Sequence, residues 1–421
     1  MLTAVVGINW GDEGKGRMVD LLSADYDIVC RYQGGNNAGH TVINDHGKIV
    51  LNLLPSGISR EGTVNVMGNG MVIDLEHLVH EIQSLREKGI HIGPDNLKIS
   101  DKAVICLPWH KMQDIMEEDR LKDKKFGSTR RGIGPVYADK YMKKAVRMGD
   151  LFAPDKLPEK VADLTEWKNL TVRGYGHEPV KAEDILAWLH EFGDPIKPYI
   201  TDVSDYLYDA AAAGENIMFE AQLGALRDID FGIYPYTSSS CTLAGYAPIG
   251  AGIPGLKLDK TIGIMKAYSS CVGEGPFTVE MFGDEAEALR RAGGEYGAAT
   301  GRPRRVGAFD VPASRYGVRM HGADCVALTK LDVLSYMEKI PVCVAYDING
   351  EITEKFPVGE RLNAAKPVFE YMDGFGDISG CRKPEDLPKA AMDYIRYLEA
   401  AVGCKIKYVS VGAGRDEYVE L

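Results

Sequence analysis

Several protein classes are excluded by what the sequence lacks. Its eight cysteines (30, 106, 241, 271, 325, 343, 381 and 404) form no C-x-x-C pair and no Cys/His cluster at zinc spacing. Cysteines scattered in this way read as small buried apolar side chains in a reducing compartment. No apolar run approaches a membrane span. The opening MLTAVVGINWGDEGK has no basic leader ahead of its short apolar stretch, so a cytoplasmic protein with no membrane partner is expected. Internal repeats, low-complexity tracts and Gly/Ser linkers are missing, which favours one domain over residues 1–421 with insertions. Positive charge is in deficit. A net charge of −12 and a pI near 5.3 argue against nucleic acid or anionic membrane as a partner. An anionic ligand would have to be drawn in by local basic residues and backbone N–H groups.

What is present is an alternation of short apolar runs and amphipathic stretches. Buried strands are predicted at Leu2–Gly7, Asp27–Tyr32, Val64–Met67, Asn216–Phe219, Ile262–Tyr268, Cys325–Leu328, Val342–Tyr346 and Ile406–Val411. One helix should start from Asp74 as N-cap, carry Leu75, Leu78, Val79, Ile82 and Leu85 on one face, and stop at Gly89. Another covers roughly Lys389–Val402. Thr41–Leu54 reads as a hairpin turning at Asn44-Asp45-His46-Gly47. The stretch around 153–200 is rich in Lys, Glu, Trp and Pro and reads as a peripheral helical subregion without a clear strand. The pattern predicts a mostly parallel central sheet flanked by helices, with ligands at the carboxyl ends of its strands.

The first of those ends is Gly7-Ile8-Asn9-Trp10-Gly11-Asp12-Glu13-Gly14-Lys15-Gly16-Arg17. Met18, Val19, Leu21 and Leu22 follow at helical spacing, so Gly14-Lys15-Gly16 opens a helix, where free N–H groups and the dipole favour an anion. The Walker pattern wants Gly where Asn9 stands and Ser or Thr where Gly16 stands. The missing hydroxyl would normally hold Mg²⁺. Asp12 is the nearest oxygen that can substitute, and a carboxylate beside a metal and a lysine can also serve as a general base. An acidic turn on a solvated surface is the bland alternative. Four glycines around one lysine after a buried strand make it the weaker one.

Gln33-Gly34-Gly35-Asn36-Asn37-Ala38-Gly39-His40-Thr41 follows the second strand at the same sheet edge. A lone histidine is more often structural than catalytic. This one ends a run with almost nothing to bury, which favours a site role in donating a proton or hydrogen bond to a reacting oxygen.

Asn9 to Arg17 and Gly132-Ile133-Gly134-Pro135-Val136-Tyr137-Ala138-Asp139-Lys140 resemble the two signature segments of the adenylosuccinate synthetase family. The likeness continues, in order, through Asn37 to His40, Tyr234-Pro235-Tyr236, Val272 to Phe277, Thr300-Gly301-Arg302 and Thr329-Lys330-Leu331-Asp332. It implies an α/β, P-loop-NTPase-like fold with peripheral helical and hairpin subregions. It also implies a homodimer that ligates L-aspartate to IMP while GTP becomes GDP and phosphate. In that implied reaction Asp12 takes the N1 proton of IMP, O6 attacks the γ-phosphate, and His40 acts as acid. The aspartate amine then displaces phosphate. Phosphorylation turns a poor leaving group into a good one, leaving positioning and electrostatics to the protein.

The resemblance implies Mg²⁺ on Asp12 and the Gly39 carbonyl. GTP would lie on Gly11, Asp12, Glu13, Gly14, Lys15, Gly16, Arg17, Gly39, His40, Thr41, Arg304, Lys330, Leu331, Asp332, Ser410, Val411 and Gly412. IMP would lie on Asp12 to Lys15, on Asn37, Ala38, Gly39 and His40, on Thr129, Gln222, Leu223, Arg302 and either Thr237 or Ser238, and on Lys143 lent across the dimer. Aspartate would be captured by Ala298, Ala299, Thr300, Gly301, Arg302, Pro303 and Arg304. The residues agree with two of these assignments. An Asp at a strand end, such as Asp332, can accept from both guanine N1–H and its exocyclic amine. The basic run Arg302-Pro303-Arg304-Arg305, though such runs are usually solvated surface, suits paired carboxylates through guanidinium forks.

Four departures from the family pattern stand out. Lys143 replaces an arginine, and Glu220-Ala221-Gln222-Leu223-Gly224 shifts a glutamine by one position. The phosphate-contacting threonine is Thr237 or Ser238, and Pro303 replaces an arginine. The shifted glutamine motivates one alternative, a paralogue acting on another purine monophosphate such as dGMP. Thr329 to Asp332 motivates a second, a GTP-binding regulatory protein. Asp12 and His40 speak against the second, because a switch needs no base for a purine.

Overall fold

The structure, a computed structural model, describes residues 1–44, 46–296, 301 and 303–421. Ten strands form the central sheet. In chain order they are β1 (Leu2–Gly7), β2 (Ile28–Arg31), β3 (Val64–Met67), β4 (Leu97–Ser100), β5 (Ile200–Thr201), β6 (Ile217–Glu220), β7 (Lys260–Lys266), β8 (Cys325–Thr329), β9 (Ile406–Ser410) and β10 (Tyr418–Glu420). In space the order is β10-β9-β8-β7-β1-β6-β2-β3-β4-β5. Every pair is parallel except β9 with β10.

Continuous apolar sequence explains this arrangement. All six residues of β1 and all four of β2 and β6 are buried, as strands covered on both faces must be. The chain runs outward from β1 to β5, returns to insert β6 beside β1, then continues on the other side through β7, β8 and β9. The strand order therefore reverses around β1. Parallel sheets bind ligands outside the carboxyl ends at such a switch point.

The predicted strands of this sheet hold to within a few residues at either end. Val342–Tyr346 belongs elsewhere. It lies inside Lys339–Ile348, the centre of a separate sheet with Phe309–Asp310, Glu351–Thr353 and Ala365–Asp373. Its burial is interrupted along the strand, unlike that of β1.

Helix α1 (Lys15–Leu22) follows β1 after the glycine-rich turn. Helix α2 (Leu75–Glu87) is capped by Asp74, whose carboxylate accepts from the His77 N–H, and Gly89 follows at φ 80°. The subregion around 153–200 is helical, with α3 (Leu157–Gly174) and α4 (Ala182–Gly193), and meets the sheet edge through β5. Strands His40–Asn44 and Gly47–Leu51 make the predicted hairpin; its turn residue Asp45 lies outside the described residues. No described helix is long and apolar enough to cross a membrane.

Candidate active site

The turn after β1 is built around Glu13. Its carboxylate is buried, accepts from the backbone N–H of Asn9 at 3.2 Å and Gly11 at 2.7 Å, and pairs with Lys15 Nζ at 2.6 Å. Gly11 (φ 96°) and Asp12 (φ 58°) take left-handed backbone on either side of the bend. Glu13 thus folds the turn and holds the lysine, and Gly14, not Glu13, is the N-cap of α1. Gly16 has its own steric reason. A Cβ there would lie 2.7 Å from His40 Cβ, so the hydroxyl residue of a Walker loop cannot stand where α1 packs on the hairpin.

His40 begins that hairpin. Its Nδ1 lies 2.5 Å from Glu220 Oε1 at the end of β6. Glu220 is fully buried and also accepts from the Ser56 N–H at 2.7 Å and the Ser56 hydroxyl at 2.5 Å. Burial alone would raise the Glu220 pKa. His40, Arg31 and Ser56 reverse that and hold it below the usual carboxylate range. An ionised carboxylate on Nδ1 fixes that nitrogen as the hydrogen-bearing one and leaves Nε2 for other chemistry.

Asp12 is one-third exposed, and its Oδ2 lies 3.2 Å from Arg304 Nη2. Arg304 Nη1 donates to the buried Glu295 at 2.9 Å. Glu295 also receives Lys266 Nζ at 2.8 Å, Lys330 Nζ at 3.1 Å and the Tyr268 hydroxyl at 2.5 Å. Burial opposes ionisation of Glu295; Lys266 and Lys330 overcome it and keep the carboxylate well below the usual range. Behind β1, His321 donates from Nε2 to the Gly7 carbonyl at 2.8 Å and accepts the Ala244 N–H on Nδ1 at 3.2 Å. Burial pushes its pKa down to about 4.

The end of β8 faces the same crevice. The Thr329 hydroxyl donates to the Glu13 carbonyl at 2.6 Å, tying this strand end to the opening turn. Lys330 is left-handed (φ 57°) and turns the chain into Leu331 and Asp332. Asp332 Oδ1 is buried and has no partner, and burial raises the pKa of this carboxyl despite Arg17 and Lys330 nearby. A buried acceptor without a donor costs free energy and suits a ligand that brings one. Arg17 donates to the Gly412 carbonyl at 2.6 Å, the Gly414 carbonyl at 2.5 Å and the Glu417 carbonyl at 3.0 Å, and also to the Ser410 hydroxyl. The arginine is spent on the loop after β9, beside Val411.

Across the crevice the residues are less constrained. The helix Ile133–Tyr141 is entered through Gly132 at φ 76°. Asp114 accepts the Gly132 N–H at 2.8 Å and the Ser128 hydroxyl at 2.6 Å, and Glu118 accepts the N–H groups of Phe126 and Gly127 at 3.2 Å each. Thr129 and Lys143 are exposed, and Lys143 stands at φ 63°. The 237–240 stretch abuts this helix entrance: a Cβ on Gly134 would lie 3.4 Å from Ser239 Oγ. Ser238 N–H donates to the Arg227 carbonyl at 2.8 Å, and its hydroxyl lies 3.1 Å from that of Ser240.

Gln222 is buried. Its Nε2 donates to Asn37 Oδ1 at 2.6 Å, and its Oε1 accepts from Arg31. Leu223 is the half-buried, left-handed residue (φ 61°) that packs on Gly11. Ala298, Ala299, Thr300 and Arg302 lie outside the described residues; Gly301 and Pro303 are exposed. Gly39 is exposed, and a Cβ there would meet nothing. Sequence reasoning missed Glu295 and the supporting roles of Glu220 and Ser56. The one available signal was an acid closing each of two apolar or glycine-bounded stretches.

Comparison with known proteins agrees along the whole chain. The adenylosuccinate synthetase family model matches residues 4–419. The chain is 44% identical over 423 residues to the adenylosuccinate synthetase of Caldanaerobacter subterraneus, covering 100% of this chain and 99% of that one. Identity to the Streptococcus gordonii adenylosuccinate synthetase is 42% over 416 residues, covering 98% and 96%. The fully ligated adenylosuccinate synthetase from Plasmodium falciparum superposes with a TM-score of 0.92 at 36% identity, covering 100% and 99%. A cyanophage S-2L succinoaminodeoxyadenylate synthetase bound to dGMP and dATP reaches a TM-score of 0.61 at 18% identity over 100% and 95%, a likeness of fold alone.

Proposed function

The chain belongs to the adenylosuccinate synthetase family, and we propose the residue roles by which it carries out that family's reaction. It is a ligase of purine biosynthesis that joins L-aspartate to IMP, forming adenylosuccinate as GTP becomes GDP and phosphate. We assign the general base to Asp12 and the acid to His40. The observation that carries this is that His40, fixed through Nδ1 by the buried Glu220, packs against Gly16 of the same turn that carries Asp12.

In this reading Asp12 removes the N1 proton of IMP, O6 is phosphorylated, and His40 Nε2 stabilises charge on O6 and the transferring group. Lys15 leaves or shares Glu13 to reach phosphate, and the α1 N–H groups take the rest of the charge. Asp332 accepts from guanine with its unpartnered oxygen. Arg17 acts through the 410–417 loop and not on the nucleotide directly. Arg304, with Gly301, Pro303 and the undescribed Ala298, Ala299, Thr300 and Arg302, takes the aspartate carboxylates.

The described residues hold no group of three His, Cys, Asp or Glu side chains that could cage a metal. That suits Mg²⁺, which binds through one or two protein oxygens and the substrate phosphates. Asp12 and the Gly39 carbonyl are the oxygens we assign to it, and its contribution when bound is neutralisation of phosphate charge.

The Gln222 amide is spent on Arg31 and Asn37, so Leu223 is the residue of that turn left to meet the purine. On the same reading all 421 residues form one cytoplasmic domain that works as a homodimer. The exposed Tyr141 and Met142 beside Lys143 favour an interface there, with Lys143 lent to the partner's IMP phosphate.

The test is direct: purified protein with IMP, GTP, Mg²⁺ and L-aspartate, following product by absorbance. Adenylosuccinate formation is expected. Product from dGMP and none from IMP would overturn the substrate assignment. GTP hydrolysis indifferent to IMP and aspartate would instead mark a regulatory GTP-binding protein.

A further inference from the structure

Glu295 lies at the junction of the two substrate sides, and none of the roles above uses it. It is fully buried, and its two carboxylate oxygens serve different neighbours. Oε1 receives Lys330 from the turn that carries Asp332, together with Lys266 and Tyr268 from the end of β7. Oε2 receives Arg304 Nη1, and the Arg304 backbone N–H donates to the Glu295 carbonyl at 2.9 Å. Arg304 Nη2 continues to Asp12. A continuous run of charge contacts therefore joins the Asp332 turn to Arg304 and Asp12 through one carboxylate. Such pairs are little screened when buried, so moving one partner is felt by the next.

A carboxylate is rigid and planar. A shift of Lys330 that draws on Oε1 must rotate Oε2 and change its grip on Arg304. The converse holds as well, because coupling free energies are reciprocal. Lys330 adjoins the residue read here as the guanine acceptor, and Arg304 is the cation read here as an aspartate anchor. We propose, resting on those two readings, that Glu295 is a positioning residue that couples recognition of the nucleotide base to binding of the amino acid. Base identity would then appear in the affinity for a substrate that the base never touches.

Inosine triphosphate keeps N1–H but lacks the exocyclic amine, and so occupies the Asp332 side with one donor fewer. In the wild-type protein, replacing GTP by ITP is expected to raise the KM for aspartate about fivefold, the low end of typical coupling. In Glu295→Gln, the aspartate KM rises with GTP, and the ITP/GTP ratio of aspartate KM values falls to about one. Glu295→Asp, which restores the charge, recovers part of the ratio. A purely structural role would lower the melting temperature and leave the ratio intact. Should Glu295→Gln not fold, Arg304→Lys removes the fork between Glu295 and Asp12 and is expected to bring the ratio to about one. A wild-type ratio of one, or a ratio unchanged in these variants, overturns the coupling alone. Absence of any product from wild-type protein with IMP, GTP and aspartate overturns the parent reading and this inference with it.

Discussion

The two walls of the crevice are built differently. The wall assigned to GTP is made of strand ends and the turns leaving them: β1 with Glu13, β6 with Glu220, β8 with Asp332 and β9 with Ser410. Thr329 ties β8 to the β1 turn, Arg17 of α1 ties down the loop after β9, and Glu220 of β6 holds Ser56 and His40. The wall assigned to the IMP phosphate is made of loop and helix-entry residues, and Thr129 and Lys143 are both exposed. Ordering a residue costs roughly 1–2 kcal/mol of backbone entropy. Folding has already met that cost on the first wall. On the second the backbone is placed too, but exposed side chains keep rotamer freedom that a ligand must freeze.

The sharpest break of this comparison is at the carboxylate and imidazole. Asp12→Ala and His40→Ala are each expected to lower turnover by at least about a thousandfold, because both act on reacting atoms. Asp12→Ala, at a one-third exposed residue, should change the melting temperature little, whereas His40→Ala leaves the buried Glu220 without its partner and should lower it. Substantial residual turnover in either would remove its assigned role. Glu220→Gln comes next. It keeps the shape and loses the charge behind Nδ1, so kcat should fall about tenfold to a hundredfold while the KM values for GTP and IMP move little. A KM effect without a kcat effect would make Glu220 a packing residue.

Asp332→Asn addresses the base. Replacing an acceptor oxygen by an amide N–H donor that faces a guanine donor leaves an unpaired buried group, worth about 1–3 kcal/mol. The GTP KM should therefore rise about tenfold to a hundredfold, and XTP should become usable. Unchanged nucleotide preference would refute the pairing.

The walls also differ in how much of them the sequence discloses. β1, β3 and the helix Lys389–Val402 lie where their apolar spacing puts them, because burial on a whole face leaves a period that can be read directly. Leu97–Ser100 was not legible; four residues with Lys98 among them carry too little pattern. Ala365–Asp373 was hidden by its proline and charges, since most of that strand faces solvent or is half-buried. The site follows the same logic. Asp12, Lys15 and His40 stand in motifs whose local composition has no structural use. Glu295 does not, because its meaning lies in Lys266, Lys330 and Arg304, which only folding brings together.

Stiffness of the first wall has a pH signature. His321 supports the Gly7 carbonyl as a neutral ring, with its pKa pushed down from 6.5 to about 4. Between those values the unfolded chain binds the proton and the native one does not, so stability falls as pH drops from about 6.5 toward 4. The shift is worth about 3 kcal/mol at 1.36 kcal/mol per unit. Asp310, raised by burial from 3.8 to about 6, works in the opposite sense over most of that window and offsets most of the loss. Denaturant melts at pH 6.5 and 4.5 should therefore show only a small net loss, and His321→Asn should abolish or reverse it. An equal slope in the variant would show that His321 is not its source.

The smallest expected effect tests the second wall. Thr237 and Ser238 are both half-buried, and either could supply the hydroxyl for the IMP phosphate. Ser238 has its N–H held by the Arg227 carbonyl and its hydroxyl beside that of Ser240, which fixes its position before any ligand arrives. A pre-placed donor loses more on deletion than one that must be ordered. Ser238→Ala should therefore raise the IMP KM about threefold to tenfold with the GTP KM unchanged, and Thr237→Ala should do less. The reverse ranking would mean that on the open wall the ligand selects the hydroxyl, and that the pre-placement seen around Ser238 serves the loop alone.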